Sequence, residues 1–248
     1  LSNAVWILGY PDQARRIVQQ AFDGTARIDH PGSILQVHSV AGMEFAALQR
    51  DFISLEQRVD TVIAFAKEHR LRLTNGRYQF YRGLVLFEHG MHADGLALLE
   101  GSFPDLFHRP HDKGTLFLNL LANAYSRSGQ LDRASEIIAS TLAMVERTAE
   151  HTWEAEIHRV AAEILLARGA SVVAIEEELR QAIDIARRQD AKSFELRATM
   201  SLAHLLSDQG RRSQARNLLE QVYVWFTEGF DTPDLQEARV LLTQLGET

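Results

Sequence analysis

Five glycines divide the chain at near-constant intervals, and each is followed five residues later by another small residue. The pairs are Gly9 with Ala14, Gly90 with Gly95, Gly129 with Ala134, Gly169 with Ala174, and Gly210 with Ala215. Successive glycines stand 39 to 41 residues apart, except for a first gap of 81 that covers two periods. The missing marker belongs near Arg50, where Leu55, Val59 and Val62 fill the apolar slots that follow.

The residues around Gly129 show what the marker means. Leu116, Leu120, Leu121, Ala124 and Tyr125 recur at the spacing of one helix face, and Ala134, Ile137, Ile138, Leu142 and Val145 do so after the break. Glycine ends the first helix in a left-handed conformation without a Cβ penalty. The small residue then lets the second helix backbone approach the first. Such a hairpin cannot bury its apolar face alone, so it must stack on its neighbours. The pattern predicts an all-α solenoid of about six antiparallel helical hairpins with a period of about 40 residues. Thr232-Pro233-Asp234 opens a last helix with an N-cap, a proline at the first position and an acid on the positive dipole end. That helix should cap the sixth hairpin.

Composition agrees with one continuous array over residues 1–248. The 5 prolines fall at 11, 31, 104, 110 and 233, which permits uninterrupted helices from 111 to 232. The chain has no cysteine, consistent with a reducing, cytoplasmic setting. It has no apolar run near the ~20 residues of a membrane span and no leader pattern. A net charge of −7 argues against non-specific nucleic-acid binding. The opening LSNAVWIL reads as the last turns of a helix whose beginning lies in a longer chain. Trp6 and Ile7 would then form an uncapped end through which two copies could pair.

Catalytic motifs are absent: there is no phosphate loop, HExxH or GxSxG. His89, His92 and Asp94, and likewise His108, His111 and Asp112, have ligand-like spacing but sit at turns without a convincing fourth ligand. The reading is therefore no metal, no cofactor and no enzyme. The pairs Arg15-Arg16, Arg187-Arg188 and Arg211-Arg212 are accompanied by acids and read as solvated surface. Tyr78, Phe80, Tyr81 and Phe87 could line a small-molecule pocket, but their spacing favours core packing.

The succession glycine, small, large apolar, small (Gly129, Ala134, Ile138, Thr141; Gly210, Ala215, Leu219, Val222) resembles tetratricopeptide (TPR) repeats. The period is longer than their usual ~34 residues. The text from Trp6 to Ala14, and the stretches 186–206 and 222–242, are similar to the C-terminal repeats of large bacterial signalling proteins. Those proteins carry an adenylate/guanylate cyclase domain, then a STAND-type AAA ATPase, then TPR-like repeats. The resemblance implies a non-catalytic segment with its catalytic modules upstream. It also implies a protein or peptide partner, or the chain's own upstream domains. A small-molecule inducer sensor of a transcriptional regulator is the alternative.

In TPR arrays the first helix of each hairpin lines the concave groove. Counting back six and ten residues from each repeat glycine gives Asn123 and Asn119, Glu163 and Arg159, His204 and Met200. Arg127 and Arg197 lie near the same stripe. Amides there can grip a peptide backbone and guanidinium groups can fork onto carboxylates. The expectation is an exposed stripe whose side chains the fold does not need.

Overall fold

The computed structural model describes residues 1–73, 76–106 and 114–246, and no strand occurs among them. Two compact units form. Unit 1 comprises Leu1–Val5 and Asp12–Gly114, and unit 2 comprises Trp6–Pro11 and Thr115–Thr248. The repeat spacing alone does not mark this division.

Unit 1 holds most of α1 (Ser2–Ile7), then α2 (Pro11–Thr25), α3 (Pro31–Val37), α4 (Phe45–Leu48), α5 (Phe52–Glu68), α6 (Arg77–Glu88), α7 (His92–Gly101) and α8 (Phe103–Leu106). The starts of α3 and α5 carry side-chain caps. The His30 ring accepts from the Ser33 amide at 3.1 Å and the Asp51 carboxylate from the Ser54 amide at 3.0 Å. Periodicity predicts one plain helix over 33–49. Instead a π-helical turn, His38–Glu44, joins α3 to α4. Gly42 explains it: Phe22 and Arg58 press so near its Cα that a Cβ would stand 3.1 and 3.3 Å from them. The widened turn brings this bare backbone against both side chains.

The degenerate repeat is present where expected. Arg50 adopts the left-handed conformation (φ 59°) that glycine takes elsewhere, and the Asp51 amide donates back to Ala46 O. Leu55, Val59 and Val62 are fully buried. Helices α6 and α7 approach each other closely at two glycines. A Cβ on Gly83 would lie 2.9 Å from Gly95 O, and one on Gly95 would lie 2.8 Å from Gly83 O. Phe80, Tyr81 and Phe87 are buried, so the aromatic cluster packs as core and does not line a pocket; Tyr78 is half-buried. Burial, with Glu44 adding, holds the Tyr81 phenol well above its ordinary pKa.

Unit 2 is regular. Its hairpins are α9 (Gly114–Arg127) with α10 (Leu131–Thr148), α11 (Glu154–Ala167) with α12 (Val172–Arg188), and α13 (Lys192–Asp208) with α14 (Arg212–Tyr223). The capping helix α15 (Pro233–Gly246) follows. Each first helix ends the same way. The residue after the glycine donates five residues back: Gln130 to Tyr125 O, Ala170 to Leu165 O, Arg211 to Leu206 O. The core runs from Ile175, Leu179 and Ile183 through Leu196, Leu202 and Leu206 to Leu219, Leu235 and Leu241. Periodicity extends α14 to Glu228, but it stops at Tyr223 because Phe226 turns inward to join this core.

The N-terminal end is not the exposed surface that the sequence suggests. Trp6 is 2% exposed and Ile7 is buried as well. The indole meets Phe194 edge-on at 5.9 Å, and Ser193 Oγ donates to Trp6 O at 2.6 Å. Gly9 (φ 95°) lies against Trp225 and Lys192 with no room for a Cβ. Tyr10 packs on Trp225 at 5.5 Å. The basis for pairing two copies through Trp6 and Ile7 is thereby removed: these side chains are core.

Candidate binding site: a polar ladder in unit 2

The sequence-derived stripe lies on α9, α11 and α13, and its members are more connected than expected. Glu156, 6% exposed, sits near the start of α11 and faces two arginines. Arg159, one turn later, donates from Nε at 2.9 Å and from Nη2 at 3.2 Å. Arg197 on α13 approaches from Nη1 at 3.5 Å. Burial alone would push the Glu156 carboxyl up, but Arg159 and Arg197 outweigh it and hold the pKa below the ordinary range.

The chain of contacts continues in both directions. Arg159 also pairs with Glu163, whose other oxygen accepts from Asn123 Nδ2 at 3.4 Å. Arg197 Nε donates to Asp234 Oδ2 at 2.8 Å, and its guanidinium lies 4.8 Å from the Trp6 ring centroid. Burial would lower the Arg159 pKa, but Glu156, Glu163 and Asp234 raise it, so it stays charged. The ladder therefore reads Asn123, Glu163, Arg159, Glu156, Arg197, Asp234.

Register separates two roles. The position ten before the repeat glycine is closed: Asn119 and Met200 are buried, and Arg159 is largely covered. Met200 belongs to the unit 2 core and presents no groove surface. Asn119 Oδ1 is buried without a hydrogen-bond partner. The position six before the glycine is more open. Asn123 is half-buried, the Glu163 side chain is 37% exposed, and His204 is exposed. Arg127 is exposed in the last turn of α9.

Sequence reasoning missed Glu156, Asp234 and Trp6. Glu156 is visible in principle, because Glu156, Arg159 and Glu163 stand at i, i+3 and i+7 on one helix face. The sequence explains Asp234 by the α15 dipole alone, whereas it also meets Arg197. The expectation that Arg159 and Arg197 are free for a ligand carboxylate is corrected: both already hold acids of the chain.

Elsewhere, no three metal-ligating side chains converge among the described residues. His108, His111, Asp112 and the end of the 102–113 connection lie outside the described residues. No described helix is long and apolar enough to cross a membrane.

Known proteins show where this architecture recurs. No family profile matches the chain. It is 26% identical over 215 residues to an uncharacterized Rhizobium meliloti protein, R02095, a match covering 83% of this chain. The chain spans only 20% of the length of that relative. Among solved structures, the apo form of RapI superposes with a TM-score of 0.60 at 12% identity, over 94% of this chain and 66% of RapI. A point variant of the TPR-like repeats of a putative Podosopora anserina kinesin light chain gives 0.51 at 22% identity, over 79% of this chain and 96% of that one. The fold is a TPR-like α-solenoid. In that frame α9, α11 and α13 are the first helices of consecutive repeats, and the ladder runs from repeat to repeat across them.

Proposed function

We propose that this TPR-like chain is a non-catalytic scaffold or sensor segment that binds a protein or peptide over the open positions of the ladder. The observation that carries the reading is the register. Asn123, Glu163 and His204 occupy equivalent positions on three successive first helices, one turn from the closed positions Asn119, Arg159 and Met200, and Arg159 holds Glu163, which accepts from Asn123. An amide, a carboxylate and an imidazole in such a row suit the alternating donors and acceptors of a peptide backbone. Arg159 serves as a support of the row through Glu163, and Arg197 holds the same network at Glu156. That residues 1–248 work as one array is part of this proposal.

The wider setting is a bacterial signal-transduction protein with cyclase and ATPase modules elsewhere in a longer, cytoplasmic chain. The match to a relative about five times longer than the shared segment supports a role as one part of a large protein. The test is capture of partners from the source lysate by wild type and by Asn123→Ala/His204→Ala. The double variant should melt as wild type does and lose the partner. Retention of the same partner would refute the ladder as the site.

A further inference from the structure

Unit 1 contains a second cluster, unrelated to the ladder. It lies where α2 and α5 meet the π-turn after α3. The guanidinium of Arg58 stands 4.7 Å from the centre of the Phe22 ring. The His38 ring packs 5.0 Å from the same phenylalanine and 6.2 Å from Phe65, and Phe65 lies 4.2 Å from His69. Gly42, without a side chain, leaves the space that Arg58 and Phe22 fill.

What is unusual is what Arg58 lacks. Part-buried, it makes no hydrogen bond and no ion pair among the described residues. Asp51 acts on it only at longer range. Five N–H donors are thus placed against an aromatic face with no acceptor from the described chain. Part-buried arginines elsewhere hold acids, as Arg77 holds Glu44 and Arg197 holds Asp234. The His38 ring nitrogens are likewise without a hydrogen bond among the described residues. Burial, then the nearby Arg58 charge, hold the His38 imidazole below its ordinary pKa, and burial lowers that of Arg58. Two groups able to carry positive charge therefore pack on one ring.

We propose that Arg58 and His38, with Phe22 and Phe65 as apolar walls, bind a small organic carboxylate with a flat apolar body. A guanidinium held over a ring, with no acceptor among the described residues, has N–H donors left for a two-point bond to a carboxylate. The neighbouring rings offer offset or edge contacts to a flat body, which phosphate or acetate cannot use. π-Turns of this kind recur at functional sites, because they re-aim side chains that a regular helix would stagger. The site goes beyond the ladder reading and does not depend on it.

The test uses the full chain, with sodium benzoate as the probe and acetate and inorganic phosphate as contrasts at constant ionic strength. Histidine resonances are followed by NMR. Benzoate should give a saturable shift of the His38 signals. It should raise the His38 pKa toward its ordinary value, because the carboxylate cancels the Arg58 field. It should bind at least about tenfold more tightly than acetate if the rings contribute. Arg58→Gln should abolish saturation. Arg58→Lys, which keeps the charge but loses the fork, should weaken binding by about tenfold. Asn123→Ala/His204→Ala should bind benzoate as wild type does, which separates this site from the ladder. No saturable shift, equal affinity for acetate, tighter binding of phosphate, or undiminished binding by Arg58→Gln would each overturn the proposal. Should Arg58→Gln fail to fold, the wild-type His38 titration and the lysine variant decide.

Discussion

Glu44 in unit 1 and Glu156 in unit 2 are both buried, and their carboxylates are satisfied differently. Glu44, 0% exposed, stands at the end of an irregular π-turn and draws on other helices: Asn3 Nδ2 at 2.5 Å and Arg77 Nη1 at 3.2 Å. Glu156 lies on a regular helix, has Arg159 one turn away on that helix, and gains Arg197 from the next repeat. Yet some of the long-range bonds in both units span the same distance in sequence. Asn3 and Glu44 are 41 residues apart, as are Glu156 and Arg197, and Asn123 and Glu163 are 40 apart. One period of sequence separates the partners, so these bonds fix the register of one hairpin on the next. The difference lies in where the partners come from: Glu156 takes one of its two arginines from its own helix, whereas Asn3 and Arg77 reach Glu44 from other helices.

The largest expected effect tests that difference. Arg77→Ala removes a guanidinium bonded to a fully buried carboxylate, and should cost roughly 3–5 kcal/mol of stability in denaturant unfolding. Arg159→Ala leaves Arg197 in place and should cost less, roughly 2–3 kcal/mol. An equal or greater loss for Arg159→Ala would show that the second arginine gives no protection. Either loss exceeds what an exposed groove residue would give.

Acid provides the next comparison. The Glu156 pKa is lowered in the folded chain, so its contribution is complete above the unfolded carboxylate value. That contribution fades as pH falls through the folded value and the ladder loses its central charge. Glu156→Gln should therefore be less stable than wild type at neutral pH, and the two should converge in acid. A gap that stays constant from pH 7 to pH 3 would contradict this account.

Two glycines sharpen the contrast further. Gly83→Ala in unit 1 forces a Cβ against the backbone of α7, which cannot step aside, and should cost roughly 1–3 kcal/mol. Gly129→Ala in unit 2 meets open space but must hold φ near 82°, at roughly 1–2 kcal/mol. Thermal melts of the two variants, with Gly101→Ala as a helical control in open space, would separate crowding from backbone strain.

Much of the fold was legible because its signals are local. The repeat glycines report a backbone conformation, and the apolar spacing reports a face. Even the degenerate repeat was legible at Arg50, since the apolar slots after it survive the loss of glycine. The π-turn was not legible, because its cause is Phe22 and Arg58 arriving from other helices at Gly42. Nor was the burial of Trp6, which depends on Phe194 and Ser193 nearly two hundred residues away. At the site, counting from the glycines found Asn123, Arg159 and Glu163, but counting cannot tell which polar side chains face each other. For that reason the arginines looked free when Glu156 and Asp234 already held them.

The smallest effect concerns a second set of inter-repeat bonds, those near the hairpin turns. Glu176, in the first half of α12, accepts from Arg211 Nη1 at 2.8 Å and from Arg180 Nη2 at 2.5 Å. Glu176 and Arg211 are 35 residues apart, close to the period, so this pair also links neighbouring repeats. Hydrogen bonds from the two arginines hold the Glu176 carboxyl below its ordinary pKa. Solvent nevertheless reaches both guanidinium groups, whose side chains are 37% and 47% exposed. Water and salt screen such a pair, and fixing two long side chains costs entropy, so little net stability remains. Arg211→Ala should lower stability by less than about 1 kcal/mol, and the loss should shrink further at about 1 M salt. The same salt should barely change the cost of Arg159→Ala, since Glu156 is shielded from solvent. If Arg211→Ala instead matched Arg159→Ala, burial would not be what separates the inner bonds from those at the turns, and the period alone would set their strength.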